Sequence, residues 1–339
     1  MSVTVFRSFE RMFRRGGGVL SEEDAICAGC LDFSSARLRD SACVLELQPP
    51  PLPPALAVDA SAAGGGASCL QGLPGLGGVF ALRAYPGFYM LPGALSAPQR
   101  LALARACLQE YIEPPLGRTS VGTSPPGGVW GDYVRPRGPR EPPPVLHSLA
   151  WATLGVHYDW ARRLYPSGEP GWSSPFPAPL AHLCALVAGR VQQAAAAAAL
   201  PAAPWGLPLT PFAPRTAIVN LYHPSRSRAR LPMGGHKDDA TGEDQTAPVL
   251  SLSMGATAVF LLGGEDKDHL PQPLLLRGGD IMVLAGAART CLHGVPRVLV
   301  PEHGHAEGDI QAEQGSQEAR ALTRFLASSR INITVRATA

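Results

Sequence analysis

The sequence predicts an α+β fold: a jelly-roll core (a double-stranded β-helix) with N-terminal helices packed outside it. Three observations carry that expectation. Beyond residue 216 the chain breaks into short apolar or alternating runs separated by glycine, the pattern of a sandwich or barrel rather than of βαβ units. Ahead of these runs lie two Ala/Leu-rich stretches with helical periodicity. With 45% hydrophobic and 17% charged residues over 339 positions, the chain can bury a sizeable core.

Residues 1–47 read as an N-terminal helical extension. Val5, Phe6, Phe9, Met12 and Phe13 recur there at helical spacing, with four arginines opposite. A mitochondrial presequence is also amphipathic and Arg-rich, but usually lacks acids such as Glu10, so a docked helix is the preferred reading. Residues 48–78, with Pro49-Pro50-Pro51 and Gly64-Gly65-Gly66, form a linker to which no structure is assigned. Residues 79–215 follow as a mainly helical region. In it, 80–91 alternates and is expected to turn through Pro86-Gly87, and 98–111 begins with Pro and reads as a helix. The stretch 114–144 is Pro/Gly-rich and carries Arg135, Arg137 and Arg140, and 149–160 gathers Trp151, His157, Tyr158 and Trp160. A second helix is expected over 179–199, ending in six alanines, with a loop over 201–214. Residues 216–339 hold the jelly-roll, with strands expected at 217–222, 249–254, 257–262, 274–276, 280–285, 295–299 and 330–336. An acidic insertion at 301–320 precedes the last strand.

The 37 Gly and 35 Pro exceed ordinary usage of about 7% and 5%, and they cluster, as loops inserted into a conventional core would. Seven scattered cysteines with no secretory signal point to a reducing, intracellular setting without a disulfide framework. Nucleus, cytoplasm and mitochondrion are not distinguished. Cys27 and Cys30 form a CxxC with no second pair, more often coincidence than a zinc or redox site. No apolar run approaches the roughly 18 residues of a membrane span. The net charge of +2 neither demands nor excludes nucleic acid, and a monomer is expected by default.

The chemistry centres on His236-Lys237-Asp238. In an extended backbone His236 and Asp238 share a face, with Lys237 turned away. Two histidines and one carboxylate suit a non-haem Fe(II) centre with open coordination positions, and His293 is the candidate second histidine. Alone, such a tripeptide is more often two polar surface residues. The last strand sharpens the reading. Arg330, Asn332, Thr334 and Arg336 share one face, while Ile331, Ile333 and Val335 share the other. The polar face lies either in water at a sheet edge or inside the barrel, where two arginines can hold a dicarboxylate in two-pronged pairs. Asn220 and Tyr222 repeat the pattern on an earlier strand. Tyr158 and Trp160, aromatic and near basic residues, offer a base-stacking surface, although core packing is the commoner explanation of such a cluster. His157 is read as core, and His303 and His305 as exposed.

In that order, these residues resemble the AlkB family of Fe(II)/2-oxoglutarate-dependent nucleic-acid dioxygenases, most closely the branch of AlkB homologue one. The likeness also covers Tyr85-Pro-Gly-Phe-Tyr, Leu154-Gly-Val-His-Tyr-Asp-Trp160, Ala258-Val-Phe-Leu-Leu-Gly-Gly264 and His293-Gly-Val-Pro-Arg-Val. The resemblance implies iron ligands at His236, Asp238 and His293. It implies a 2-oxoglutarate site at Asn220, Tyr222, Arg330, Asn332, Thr334 and Arg336, with Arg330 on the distal carboxylate. It also implies nucleotide recognition by the 79–215 region, and Fe(II), 2-oxoglutarate and O2 as reactants, with ascorbate as an in vitro reductant. The expected reaction oxidises a methyl group while 2-oxoglutarate becomes succinate. An N-methyl group, as on adenine in tRNA, would leave as formaldehyde, whereas 5-methylcytosine would keep a hydroxymethyl group. tRNA is expected in preference to duplex DNA. Two departures bear on the substrate. A longer link after Tyr222 carries Arg226, Arg228 and Arg230, suited to phosphate contacts. Asp239-Ala240-Thr241 stands where polar and acidic residues are expected, with Glu243 or Asp244 as compensation. The rival expectations are a 2-oxoglutarate oxygenase acting on a protein side chain and an RNA-binding protein without catalysis.

Overall fold

The computed structural model describes residues 4–15, 21–35, 38, 41–50, 78–223, 233–299 and 316–339. Its frame is two antiparallel sheets. The large one runs β1(Val44–Leu47), β2(Val79–Leu82), β3(Tyr85–Leu91), β11(Ile281–Leu284), β8(Val249–Gly255), β13(Arg330–Arg336), β6(Thr216–Tyr222), β5(Trp151–Gly155) and β4(Arg118–Thr119). The small one runs β10(Gln272–Leu276), β9(Thr257–Leu262), β12(His293–Leu299) and β7(Met233–His236). Together they make a jelly-roll.

Strand β13 shows why the sheets stack as they do. It lies between β6 and β8, with Asn332 opposite Asn220 and Ser253. Ile331, Ile333 and Val335 are fully buried against a layer that includes α3(Ala97–Gln109) and α5(Ala178–Ala197). Ser96 and Gln99 close a capping box that starts α3, with Pro98 in its first turn. The polar set of β13 therefore points the other way, into the space between the sheets. Apolar residues such as Phe88, Met282, Phe260 and Leu276 fill much of that space. A short helix α4(Gly128–Val134) packs beside the first layer, and α6(Gln317–Ser328) leads into β13.

The outer face of the small sheet is covered by α1(Val5–Arg15) and α2(Glu22–Cys27). Phe6 and Phe13 of α1 are buried there with Leu261, Leu275 and Leu292. Arg277 pins α2 through Glu22 and the following turn through Asp32. The N-terminal amphipathic segment is thus a helix docked on the core.

Several expectations need correction. The large sheet draws on the first half of the chain as well, because strand pairing is non-local and β3 adds directly to β11. The β2–β3 turn falls at Arg83-Ala84, not at Pro86-Gly87. Gly87 sits inside β3 at φ +92°, where a Cβ would lie 2.0 Å from the Ala285 carbonyl, so close approach is what requires glycine. Met12 is 47% exposed and lies off the buried stripe of α1. The end of the 301–320 stretch is the start of α6, and residues 301–315 lie outside the described residues, as do Arg226, Arg228 and Arg230.

If α1 is held by its buried rings, Phe6→Ala should lower the unfolding free energy by about 3–5 kcal/mol and Met12→Ala by less than about 0.5 kcal/mol. Denaturant titration of the two variants measures both. Equal losses would show that α1 is not docked through Phe6.

Candidate metal centre

β7 and β12 pair with His236 directly opposite His293. The chain leaves β7 after His236 and bends at Asp238, so this is not the continuous extended tripeptide expected from sequence. The bend still brings the three side chains together: their ligand atoms all lie within 4.8 Å of one another, and they could hold a metal ion. His236 Nε2 is 3.9 Å from Asp238 Oδ1, and His293 Nε2 is 3.8 Å from Asp238 Oδ2. The Nδ1 atoms face the carbonyls of Gly234 and Cys291 at 2.9 and 3.0 Å. A carbonyl only accepts, so each Nδ1 carries the proton and each Nε2 keeps a free lone pair toward the carboxylate. That donor set fits a divalent iron ion held by two imidazoles and one carboxylate.

The carboxylate is held ionised against its surroundings. Burial acts to raise its pKa, but Arg336, both histidines and Arg289 outweigh burial and lower it. Arg336 Nη2 donates to Asp238 Oδ1 at 2.7 Å. Glu243 lies beside Arg336 and accepts from Arg289 Nη2 at 2.7 Å, while Arg289 also donates to the Asp238 and Ala247 carbonyls. Burial pushes the Glu243 carboxyl up. Burial, then neighbouring His236, pushes His293 down to about 4, which keeps it neutral and able to ligate.

A cavity of about 500 Å3 opens on this cluster. Its polar wall includes Asn220, Tyr222, Arg330, Asn332, Thr334 and Arg336, the six residues singled out on β6 and β13. Arg330 is 1% exposed and faces no carboxylate within ion-pair distance among the described residues. Its guanidinium donates to the Ala256 and Leu276 carbonyls and to Ser253 Oγ at 2.8 Å. Burial lowers its pKa to about 10. Asn332 donates to Ser251 Oγ, and Thr334 donates to Asn332 Oδ1. Arg330 Nε and Arg336 Nη1 are buried with no hydrogen-bond acceptor. Arg330 and Arg336 both line the cavity, and a guanidinium matches a carboxylate in a two-pronged pair, so this wall fits a dicarboxylate such as 2-oxoglutarate.

Tyr158 and Trp160 line the mouth of the same cavity, and Trp160 is 48% exposed, so it is not a core residue. Lys237 also lines the cavity, contrary to the expectation that it turns away, because the bend at Asp238 breaks the strand alternation. His157 is buried and bonded to Thr153, as a packing residue would be. Sequence reasoning missed Arg289, whose one visible signal is a lone cation among small residues. Glu243 is buried in the ion-pair network and also lines the cavity.

Residues 87–336 match the 2OG-Fe(II) oxygenase superfamily. The chain belongs to that family. Among its oxygenase relatives is a protein from Arabidopsis thaliana named DNA N(6)-methyladenine demethylase ALKBH1A, 30% identical over 76% of this chain and 77% of its own length. This places the chain in the AlkB branch. The human nucleic acid dioxygenase ALKBH1 is 28% identical over 76% of this chain and 65% of its own length. A Schizosaccharomyces pombe relative named tRNA demethylase abh1 is 27% identical over 65% of this chain and 71% of its own length. The oxygenase family uses Fe(II), 2-oxoglutarate and O2, and the clustered side chains suit the iron and the 2-oxoglutarate.

In this oxygenase the strand bearing His236 lies at the edge of the small sheet. Its free side is closed by α1: Gly235 N–H donates to Glu10 Oε1 at 2.6 Å, one residue before His236. Glu10 is buried, and a Cβ on Gly235 would come within 2.5 Å of the Phe6 ring. Glu10→Ala leaves that amide without its acceptor, so the unfolding free energy should fall by about 1–2 kcal/mol. Glu10→Gln keeps the acceptor oxygen and should unfold close to wild type. Denaturant titration reads both, and equal stability of wild type and Glu10→Ala would show that α1 is not tied to β7 through this bond.

Proposed function

We propose that this oxygenase removes methyl groups oxidatively from nucleic acid, with N-methyladenine in tRNA as its preferred target and DNA as a secondary one. The observation that carries the proposal is the shared cavity: a His-Asp-His cluster, a buried arginine with no carboxylate within ion-pair distance among the described residues, and an exposed tryptophan all open onto it. The names of the Arabidopsis and fission-yeast relatives, one acting on DNA N6-methyladenine and one on tRNA, support the substrate class.

In this reading His236, Asp238 and His293 hold the iron. Arg330, assisted by Tyr222 and Asn332, holds the distal carboxylate of 2-oxoglutarate, and Arg336 and Asn220 flank its reacting end. When bound, iron and 2-oxoglutarate supply O2-dependent oxidation of a methyl C–H bond, with succinate and carbon dioxide as by-products. The protein's part is placement. Arg336 donates to Asp238 Oδ1 and so orients the carboxylate that would hold the metal. The Nδ1 bonds fix both imidazole planes. Phe260 stacks on the His293 ring at 5.7 Å and supports its plane. Tyr158 and Trp160 contact the base. Arg226, Arg228 and Arg230 are assigned to phosphates from their charge alone. Ascorbate would keep the iron reduced in vitro. The working form is taken as an intracellular monomer. The described cysteines are free thiols, in keeping with a reducing setting. No helix among the described residues is long and apolar enough to cross a membrane.

Succinate release with Fe(II), 2-oxoglutarate and ascorbate should rise when total tRNA is added, and Asp238→Ala should abolish it. Arg330→Gln removes charged hydrogen bonds worth about 1.5–3 kcal/mol to a non-reacting carboxylate, so KM for 2-oxoglutarate should rise roughly 10- to 100-fold with kcat little changed. Full turnover by Asp238→Ala would sink the assignment. Turnover stimulated by methylated peptides but not by tRNA would move the substrate to protein.

A further inference from the structure

We propose that Trp160 and Arg163 form a one-nucleotide clamp at the cavity mouth. The indole stacks on a base, and the guanidinium holds the adjoining phosphate. This rests on the nucleic-acid reading above and assigns it a site.

The indole is exposed but fixed. Trp151 lies 4.9 Å away and Tyr158 meets it edge-on at 4.7 Å, with Tyr165 behind Tyr158 at 5.0 Å. A rigid, half-exposed ring beside a deep cavity is a ready platform for a flat heterocycle. The two adjacent arginines of the same loop have opposite fates. Arg162 is fully engaged: Nε donates to Asp159 at 2.6 Å, both terminal nitrogens donate to Glu169 at 2.9 Å, and the guanidinium lies over Trp172. Arg163 is exposed, lines the cavity and has no carboxylate partner among the described residues.

The backbone confirms that Arg163 is placed rather than left over. Its φ is +57°, a left-handed conformation that costs energy for any residue but glycine. Asp159 enforces it. Its carbonyl accepts from Arg163 N at 2.7 Å, and its Oδ1 accepts from Ala161 N and Arg162 N. The loop thus spends a carboxylate and a strained residue to present one cation outward. Lys237 lines the same opening and adds positive charge. A π-face beside a free guanidinium matches a nucleotide, which offers a base and a phosphate together. A peptide would not in general need both.

The test is fluorescence anisotropy with the full chain and a labelled single-stranded RNA carrying one N-methyladenine, over a range of salt. Arg163→Gln should weaken binding and reduce the slope of log affinity against log salt by about 1, and Arg163→Lys should restore that slope. Trp160→Ala should weaken binding roughly 5- to 100-fold with the salt slope kept. Arg163→Gly relieves the left-handed strain, so it should melt no lower than wild type while losing the same slope. Arg140→Gln, the same charge change at a residue that does not line the cavity, should alter neither quantity. An unchanged slope in Arg163→Gln, or an equal change in Arg140→Gln, overturns the clamp. If wild type still binds and demethylates the RNA in that case, only the clamp fails. Wild type that binds no nucleic acid at any salt overturns the function with it.

Discussion

Asp238 is the group on which the rest of the site depends. It is 6% exposed, between two sheets, and it carries a charge there. A carboxylate so placed must be matched, or it neutralises and stops ligating. The match is supplied by Arg336 from β13, at 2.7 Å. Arg336 is in turn balanced by Glu243, and Glu243 by Arg289. The chain of two acids and two bases is close to neutral as a unit, which lets it stay buried. It also ties together the segment after β7, the turn before β12 and the last strand. The contacts that join these distant segments are thus the same ones that hold the Asp238 carboxylate in place.

The other arginine of β13 shows the opposite design. Arg330 is as buried as Arg336, yet it meets carbonyls and a hydroxyl instead of a carboxylate. Among the described residues its charge is offset only at longer range, by Asp280, beyond ion-pair distance. One strand therefore carries an arginine paired with the carboxylate of the His-Asp-His cluster and another that meets only neutral acceptors. Asn332 lies between them, held by Ser251. Both arginines line the same cavity, so one strand offers it two guanidinium groups in different surroundings.

How much of this was legible in the sequence follows from the range of each interaction. The alternation of β13 was readable because period-2 patterning is local, and both of its faces proved buried. The His-x-Asp spacing identified the right pair for a partly wrong reason, since the backbone bends at Asp238. The same bend hid Lys237. Gly87 was taken for a turn, because a glycine that permits close approach to Ala285 looks the same in sequence as one that permits a reversal. Glu10 was noticed only as an acid unusual for a presequence. Its bond to Gly235 joins residues 225 positions apart, and no local pattern reports that. Arg289 and Glu243 were obscure for the same reason: each is an ordinary polar residue until its partner is known.

The same logic of distant segments governs where a substrate can sit. The loop bearing Trp160 and Arg163 does not hang free over the cavity. It closes on itself at Asp159 and Leu164, and Leu164 then forms a parallel bridge to Thr241. Tyr165 N–H donates to the Thr241 carbonyl at 2.9 Å. Gly242 follows at φ +89°, where a Cβ would lie 2.6 Å from the Tyr165 carbonyl, so only glycine allows this approach. Thr241 lies three residues beyond Asp238 and two before Glu243. The exposed indole is thereby positioned relative to the metal cluster through backbone contacts, which vary less than side-chain rotamers. A base resting on Trp160 would be held against the same piece of chain that holds the carboxylate, so recognition and chemistry share one rigid support.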